Sequence, residues 1–352
     1  MYGSRTILVT GGAGYIGSHI CVDLVERDYE VVVVDDYSNS SRLALDRVAE
    51  ITGKKVVAHE ADVRNYRELA EVFERHRIDV VVHLAGKKHV AESIEQPLAY
   101  YGVNVAGTHN VLRLMDEHGV PEMVFSSSCS IYGHAQAMPL QESCAPNPTN
   151  PYARSKWMAE QMISDHCRRS DSCRAISLRY FNPIGAHQSG RLGEAPVGSV
   201  TNVVPHLMRV ATNESGCADV FGSDYDTSDG TPVRDYLHVV DLADAHRMAI
   251  EHAGDSPGLE ILNVGTGRGT SVLELMAFVG ETCGHEIPYR ILGRRPGDVG
   301  ELIADASAIA ARWSWRPKRD MSEMCADAWR FHRANPSGYQ EPAHGRFLVS
   351  EM

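Results

Sequence analysis

Short apolar runs recur along the first half of the chain, and each is followed by a stretch in which apolar residues have helical spacing. The runs at 31–34 and 80–82 lack the apolar–polar alternation of a strand that is exposed on one face. Continuous runs are typical of strands buried on both faces of a parallel sheet. We therefore predict strands at 7–10, 30–35, 55–59, 79–84, 123–127 and 175–179, and helices at 15–27, 66–75, 98–118 and 152–169.

The alternation of strands and helices extends over about 180 residues and predicts a doubly wound α/β fold, with ligands at the carboxyl ends of the strands. From Pro183 to Gly198, glycine and proline are frequent and no period is visible, so a loop-rich second region is expected. A helix at 238–253 and a strand at 260–264 then predict a return to the first domain. We expect a first domain of residues 1–182 and about 238–268, and a smaller mixed α/β domain of residues 183–237 and 269–352 whose tail after Asn335 is irregular.

Composition excludes several classes of function. The chain has 34 basic and 46 acidic residues, a net charge of −12, which disfavours a nucleic-acid partner bound through a broad basic surface. No apolar run approaches the roughly 20 residues that span a bilayer, and the N-terminus lacks a signal-peptide pattern, so we expect no membrane partner and a cytoplasmic location. The 8 cysteines and 17 histidines show no metal-ligand spacing, and we expect reduced thiols and no metal site.

A glycine-rich turn joins the first predicted strand to the first predicted helix, with Gly11, Gly14 and Gly17 in the pattern G-x-x-G-x-x-G. There, the first glycine permits a tight turn, the second lets the backbone approach a pyrophosphate, and the third lets helix and strand pack closely. Asp35 ends the second strand, where a carboxylate accepts hydrogen bonds from ribose hydroxyls and repels a 2′-phosphate. These residues predict a Rossmann domain that binds NAD rather than NADP. A ligand-free turn with a helix-capping acid is the alternative.

Three further residues suggest acid–base chemistry at the same sheet edge. Tyr152 and Lys156 are four residues apart at the start of a predicted helix and therefore share one face. A phenol that acts as a base near pH 7 needs its pKa lowered by about three units, and a lysine ammonium and a positive nicotinamide would lower it. Ser128 follows a predicted strand, where its hydroxyl could bind the hydroxyl group that is oxidised. The alternatives are an ordinary pair on a helix surface and a serine that caps a turn.

The motifs together resemble the extended short-chain dehydrogenase/reductase superfamily, and within it the UDP-glucose 4-epimerase family. The blocks at 125–133, 151–156, 179–183 and 230–236 occur in the same order and at compatible spacing, and the likeness spans roughly residues 5–320. Nucleotide-sugar dehydratases carry an Asp-Glu pair directly after the catalytic hydroxyl, where this chain has Cys129 and Ser130. Without that acid and base, elimination of water is not expected.

The resemblance implies an NAD-dependent UDP-hexose 4-epimerase, an isomerase of galactose metabolism that acts on UDP-glucose and UDP-galactose. Tyr152 would remove the proton of the sugar 4-hydroxyl while hydride passes from C4 to NAD. The 4-keto sugar would turn over and take the hydride back on its other face, so NAD would stay bound. UDP-GlcNAc/UDP-GalNAc and UDP-xylose/UDP-arabinose are alternative substrate pairs. A redox-sensing binding protein that has lost catalysis is an alternative of another class, and the resemblance also implies a homodimer.

The resemblance assigns roles to further positions. Arg234 and Arg295 would bind the diphosphate, because guanidinium groups match phosphate oxygens. Leu302 lies where relatives carry either tyrosine or a small residue, which leaves acceptance of a 2-acetamido group open. The implied cofactor-binding residues are Gly11, Gly14, Tyr15, Ile16, Gly17, Asp35, Asp62, Val63, Leu84, Ala85, Gly86, Lys88, Asn104, Tyr152, Lys156 and Tyr180. The implied substrate-binding residues are Ser128, Tyr152, Asn182, Asn202, Arg234, Arg295, Asp298 and Leu302.

Overall fold

Strands occur between Thr6 and Leu302 in the computed structural model, which describes residues 5–134, 137–170, 172–196, 202–212, 214, 216–255, 257–295 and 297–339. The strands in these ranges are β1 (Thr6–Thr10), β2 (Glu30–Asp35), β3 (Val57–Glu60), β4 (Val80–His83), β5 (Glu122–Ser126), β6 (Arg174–Tyr180), β7 (Asn182–Ile184), β8 (Ala218–Phe221), β9 (Val233–His238), β10 (Gly258–Val264), β11 (Gly269–Ser271), β12 (Tyr289–Leu292) and β13 (Glu301–Leu302).

Helices connect most of these strands. The α-helices of the described ranges are α1 (Tyr15–Glu26), α2 (Arg42–Thr52), α3 (Tyr66–Arg75), α4 (Val90–Glu95), α5 (Pro97–Tyr100), α6 (Gly107–His118), α7 (Pro151–Arg169), α8 (Val203–Ala211), α9 (Val239–His252), α10 (Val272–Cys283), α11 (Ser307–Trp313) and α12 (Met321–Ala334). A π-helix at Tyr101–Ala106 links α5 to α6, and 3₁₀ turns occupy Cys129–Tyr132 and Ala253–Asp255.

Seven strands form a parallel sheet in the order β10-β6-β5-β4-β1-β2-β3. The strand order reverses between β1 and β4, since the chain proceeds from β1 to β2 on one side and continues with β4 and β5 on the other. Ligands of open α/β sheets bind at such a switch point, outside the carboxyl ends of the strands. β10 pairs with β6 along its whole length, so the chain returns to this sheet after leaving it at Tyr180.

Both faces of the large sheet are covered, which explains its continuous apolar strands. In β2, Val31 and Val33 pack in one core with helices α1, α2 and α9. The alternate residues Val32 and Val34 pack in a second core with α3, α6 and α7. The predicted doubly wound α/β fold is confirmed.

A smaller part of the molecule carries its own sheets. β9 pairs with β11 in antiparallel fashion and with β7 and β13 in parallel fashion, and β8 pairs with β12. Helices α8, α10 and α12 enclose a third core with residues of these strands, including Tyr236. The expected mixed α/β character is therefore present, whereas Gly198 and the tail from residue 340 lie outside the described residues.

Several sequence predictions are wrong in detail. The helix predicted at 98–118 is divided into α5, the π-helix and α6, and the helix predicted from 238 begins at 239 because His238 still belongs to β9. Helix α2 was not predicted. Cys167 and Cys173 form a disulfide, contrary to the expectation of reduced thiols, because the end of α7 and the start of β6 bring their Cα atoms within 4.8 Å. No helix in the described ranges is long and apolar enough to cross a membrane.

Candidate active site

The predicted cofactor and catalytic residues follow four neighbouring strands of the large sheet. The glycine turn follows β1, the Leu84–Gly86 segment follows β4, Ser128 follows β5, and Tyr180 ends β6. Gly11 lies so close to the second of these segments that a Cβ atom added to it would be 2.9 Å from the Ala85 nitrogen. A Cβ atom added to Gly86 would be 3.6 Å from the Lys156 ammonium nitrogen. The fold therefore brings these segments to one edge.

The glycine turn fits a pyrophosphate. Gly11 has a φ angle of 73°, in the left-handed region. A Cβ atom at Gly17 would be 2.2 Å from the Gly11 carbonyl oxygen, so helix α1 could not approach the turn with any side chain there. Gly14 is the N-cap of α1, and no side chain of the described residues caps this terminus. Its backbone N–H groups and helix dipole are thus available to an anion.

Asp35 is held directly above this turn. Its carboxylate accepts hydrogen bonds from the Ala13 and Tyr37 nitrogens, at 2.9 and 3.0 Å, and from the Ser40 hydroxyl at 2.7 Å. Burial raises the pKa of Asp35, and these hydrogen bonds act in the opposite direction. A fixed carboxylate at the end of β2 is what recognition of an NAD ribose requires. Together with the turn, it makes the site fit NAD.

Further predicted cofactor residues follow β3 and β4, beyond the glycine turn and Asp35. Asp62 pairs with Arg64, whose hydrogen bonds lower the pKa of that carboxyl group, and Val63 is buried in the core. Asn104 lies in the π-helix and accepts a hydrogen bond from the Lys87 nitrogen at 2.8 Å. It donates to the Ser155 hydroxyl at 2.8 Å, so it ties the segment after β4 to helix α7.

Two aromatic residues and one aliphatic residue complete this side of the site. Tyr15 opens α1, and its hydroxyl donates to the Gly185 carbonyl oxygen at 2.7 Å, which connects the glycine turn to the segment after β7. Ile16 packs against the core beside α1. Burial raises the pKa of Tyr180, whereas a hydrogen bond with Ser126 lowers it.

Tyr152, Lys156 and Ser128 converge at the start of α7. Asn150 caps this helix by accepting a hydrogen bond from the Ala153 nitrogen at 2.9 Å. Tyr152 and Lys156 are buried, with exposed fractions of 8% and 5%. The Lys156 ammonium donates to the Ser126 carbonyl oxygen at 2.8 Å.

Burial governs the electrostatics of this group. It raises the pKa of Tyr152 to about 12, and Ser128 opposes the rise. Burial also lowers the pKa of Lys156 to about 8. The predicted fall in the pKa of Tyr152 requires a positively charged nicotinamide beside the phenol and therefore stays a prediction for the NAD-bound enzyme.

The predicted substrate residues on strands line up across the smaller sheet. Arg234 of β9 lies opposite Leu302 of β13, and its guanidinium donates to the Gly300 carbonyl oxygen at 3.2 Å. Asn182 of β7 lies opposite Tyr236 of β9. Leu302 belongs to an apolar cluster with Phe181 and with Cys129, the residue that follows Ser128. A side chain of the smaller sheet thus packs beside the catalytic edge.

Arg295 and Asp298 form a second group near this sheet. The guanidinium Nε donates to the Asp298 carboxylate at 3.0 Å. Its carbon atom lies 4.5 Å from the centre of the Phe221 ring, a cation–π distance. Phe221 was not predicted as a site residue, because an aromatic residue at the end of a strand such as Ala218–Phe221 looks like a core residue.

Lys88 and Asn202 meet at Glu194, a residue that the sequence alone does not single out. The carboxylate accepts from the Lys88 ammonium at 3.0 Å and from the Asn202 amide. Glu194 is separated from Lys88 by 106 residues, so no local pattern could have paired them. It links a predicted cofactor residue to a predicted substrate residue.

Comparison with known proteins agrees with this arrangement. Residues 7–265 match the model of the NAD dependent epimerase/dehydratase family. The chain belongs to that family. The match covers the glycine turn, Tyr152 and Lys156, and the family's cofactor is the NAD that the sequence predicts.

Individual members of the epimerase/dehydratase family are similar over nearly the whole chain. The UDP-glucose 4-epimerase of Bacillus subtilis is 46% identical over 334 residues, which are 95% of this chain and 98% of that protein. The human UDP-glucose 4-epimerase is 43% identical over 343 residues, 96% of this chain and 99% of that protein. The structure of UDP-glucose 4-epimerase from Bifidobacterium longum in complex with NAD⁺ and UDP superposes with a TM-score of 0.93 at 43% identity, covering 95% of this chain and all (100%) of that one. The predicted resemblance is confirmed.

Proposed function

We propose that this protein is an NAD-dependent UDP-glucose 4-epimerase that interconverts UDP-glucose and UDP-galactose. The observation that carries the proposal is the convergence of Tyr152, Lys156 and Ser128 beside a glycine turn and Asp35 that fit NAD. The chain is 46% identical over 334 residues to a UDP-glucose 4-epimerase. Because Tyr152 and Lys156 are both present, the alternative of a binding protein that has lost catalysis is not favoured.

Tyr152 would carry the proton chemistry, with Ser128 and Lys156 supporting it. NAD, when bound, supplies a reversible hydride acceptor for C4 of the sugar. The Tyr152 oxygen takes the proton of the 4-hydroxyl as the 4-keto sugar forms and returns it after the sugar has turned. The Ser128 hydroxyl, which lowers the pKa of the nearby Tyr152, positions the same sugar oxygen. Lys156, held by the Ser126 carbonyl oxygen, favours the phenolate through its positive charge.

The proposed roles of the binding residues follow from their positions. Gly11, Gly14, Tyr15, Ile16 and Gly17 would hold the pyrophosphate, Asp35 the ribose, and Asp62, Val63, Leu84, Ala85, Gly86, Lys88, Asn104 and Tyr180 the rest of NAD. Arg234 and Arg295 would bind the substrate diphosphate, with Asn182, Asn202, Asp298 and Leu302 around the remaining nucleotide sugar.

We also propose the division into a cofactor domain of residues 1–182 and about 238–268 and a nucleotide-sugar domain of residues 183–237 and 269–352. A homodimer through helices of the first domain is supported by apolar side chains on α4, α5 and α7, where Leu98 is 82% exposed and Ile94 and Met158 are 48% and 44% exposed. The proposed location is the cytoplasm, where nucleotide sugars and NAD occur together. Sedimentation and cell fractionation test these two points.

The substitution Tyr152→Phe tests the proposed chemistry. It removes the base but keeps the buried ring, so turnover of UDP-galactose should fall by about 10²- to 10⁴-fold while the unfolding midpoint and bound NAD are retained. Tyr66→Phe is the control, since that hydroxyl hydrogen-bonds to Glu117 of helix α6 and to none of the three catalytic residues. Near-native turnover by Tyr152→Phe would refute the assigned role.

Substrate identity needs a separate measurement. The purified enzyme should be incubated with UDP-galactose, UDP-GalNAc and UDP-arabinose in turn, and kcat/KM compared. We expect the highest kcat/KM for UDP-galactose. A higher value for either of the other two would replace the substrate pair and leave the reaction class unchanged.

A further inference from the structure

Three consecutive serines at the end of β5 contact three consecutive turns of helix α7. The Ser126 carbonyl oxygen accepts a hydrogen bond from Lys156 at 2.8 Å. The Ser127 hydroxyl donates to Glu160 at 2.6 Å, and Ser128 lies close enough to Tyr152 to lower its pKa. The three helix residues are four positions apart and therefore share one face. The strand end and the helix are thus fixed in one register by a contact at each turn.

Glu160 is the firmest of these contacts. Its carboxylate is fully buried, with an exposed fraction of 0%. It accepts hydrogen bonds from the hydroxyls of Ser127 and Ser177, at 2.6 and 2.8 Å, and two from the Arg179 guanidinium, at 3.0 and 2.6 Å. Charge-assisted hydrogen bonds of this kind are short and directional. A carboxylate held from three sides has little freedom to move.

The two serines that bind Glu160 differ in what they connect. Ser127 immediately precedes Ser128, and its backbone nitrogen also donates to the Leu178 carbonyl oxygen at 3.0 Å. Ser177 lies in the middle of β6, where it is paired with Phe125 of β5. Both side chains are buried and both donate to the same carboxylate oxygen. Of the two serines, Ser127 is the one bonded directly in the chain to a catalytic residue, Ser128.

We propose that Glu160 is a positioning residue that acts through Ser127, fixing the end of β5 against α7 so that the Ser126 carbonyl oxygen stays on the Lys156 ammonium and Ser128 stays beside Tyr152. The Arg179 guanidinium forms a buried ion pair with the Glu160 carboxylate and holds it in place. The catalytic part of this proposal rests on the proposed function, whereas the geometric part does not.

The matched pair Ser127→Ala and Ser177→Ala tests the proposal in the full-length enzyme with NAD. Each removes one buried hydroxyl from Glu160 and leaves its pair with Arg179 intact. Displacement of a reacting group by about 1 Å reduces rates by up to roughly 100-fold. We therefore expect kcat for UDP-galactose to fall by about tenfold to 100-fold in Ser127→Ala with KM changed less than about twofold, and kcat to stay within about twofold in Ser177→Ala.

The pH profile separates positioning from a general loss of stability. Ser128 lowers the pKa of Tyr152, so moving Ser128 away raises that pKa. Because the phenolate is the base, the acidic limb of the profile should move to higher pH in Ser127→Ala and stay in place in Ser177→Ala. The other groups that face Tyr152 are Tyr100, Cys129, Lys156 and Tyr180, and both variants leave them unchanged.

Crystal structures of the two variants give a readout that needs no turnover. The hydrogen bond from the Lys156 ammonium to the Ser126 carbonyl oxygen, 2.8 Å long, should be lost or lengthened in Ser127→Ala and kept in Ser177→Ala. Equal losses of activity in the two variants, or an unchanged hydrogen bond in Ser127→Ala, would overturn the proposal. If the wild-type enzyme does not convert UDP-galactose, the proposed function fails, and the crystal structures still decide the role of Glu160.

Discussion

Gly17→Ala tests whether close packing at the glycine turn limits both stability and NAD binding. The new Cβ atom would be 2.2 Å from the Gly11 carbonyl oxygen and 2.7 Å from the Gly12 Cα atom. Both are backbone atoms, so no change of rotamer relieves the contact. Carbon atoms in contact are about 3.5–4.0 Å apart, and the turn or helix α1 must therefore shift by about 1 Å. Overpacking of this kind reduces stability by about 1–3 kcal/mol.

The same shift moves the backbone N–H groups at the start of α1, so we expect NAD affinity to fall together with stability. Urea unfolding and NAD titration measure the two effects. Gly102→Ala is the control, since a Cβ atom in that part of the π-helix has no neighbour within 4 Å. It should leave NAD affinity unchanged and stabilise the protein by about 0.5–1 kcal/mol. Wild-type stability and NAD affinity in Gly17→Ala would refute this reasoning.

Three further predictions concern pH, substrate and cofactor. Burial lowers the pKa of His19 and His83 to about 3 and that of His246 to about 4. Below the unfolded-state histidine pKa of about 6.5, the unfolded chain therefore binds more protons than the folded chain. The free energy of unfolding should fall by up to about 1.4 kcal/mol per histidine per pH unit from pH 6 to 4. Urea titrations that show no such slope would contradict this prediction. Leu302→Ser opens space in the apolar cluster beside Cys129 and should raise kcat/KM for UDP-GlcNAc relative to UDP-glucose by about 10- to 200-fold. An unchanged ratio would show that the Leu302 side chain does not limit the size of the sugar that binds. Asp35→Ser removes the charge that repels a 2′-phosphate, so the ratio of NAD to NADP affinity should fall at least about tenfold in titration, and a constant ratio would assign selectivity elsewhere.

The parts of the fold that the sequence predicts are those in which burial and local pattern coincide. Each valine of β2 faces one of two cores, so the continuous apolar run and the parallel sheet have the same cause. The glycine turn is equally predictable, because Gly17 meets the backbone only six residues away. Helix α2 was missed because its buried positions are few, namely Ala44, Leu45 and Val48.

Features that depend on distant contacts were not predictable. The π-helix contains Asn104, whose side chain is bound by Lys87 and Ser155. These partners come from elements elsewhere in the chain, and the local apolar pattern predicts one continuous helix instead. The direction of the pKa shift of Tyr152 depends on its burial, which a motif does not reveal. Glu160 was not predicted for the same reason, since its hydrogen-bond donors lie in β6 and directly after β5.

The position of β10 has a consequence for biosynthesis. This strand pairs with the outer edge of β6 from Gly258 to Val264, although more than 70 residues separate the two strands along the chain. A ribosome must therefore release the intervening segment before the nucleotide-binding sheet can be finished. Until then β6 presents an unpaired edge, the kind of surface on which nascent chains associate with one another. Chaperone dependence should thus be greatest for nascent chains that end between these two strands.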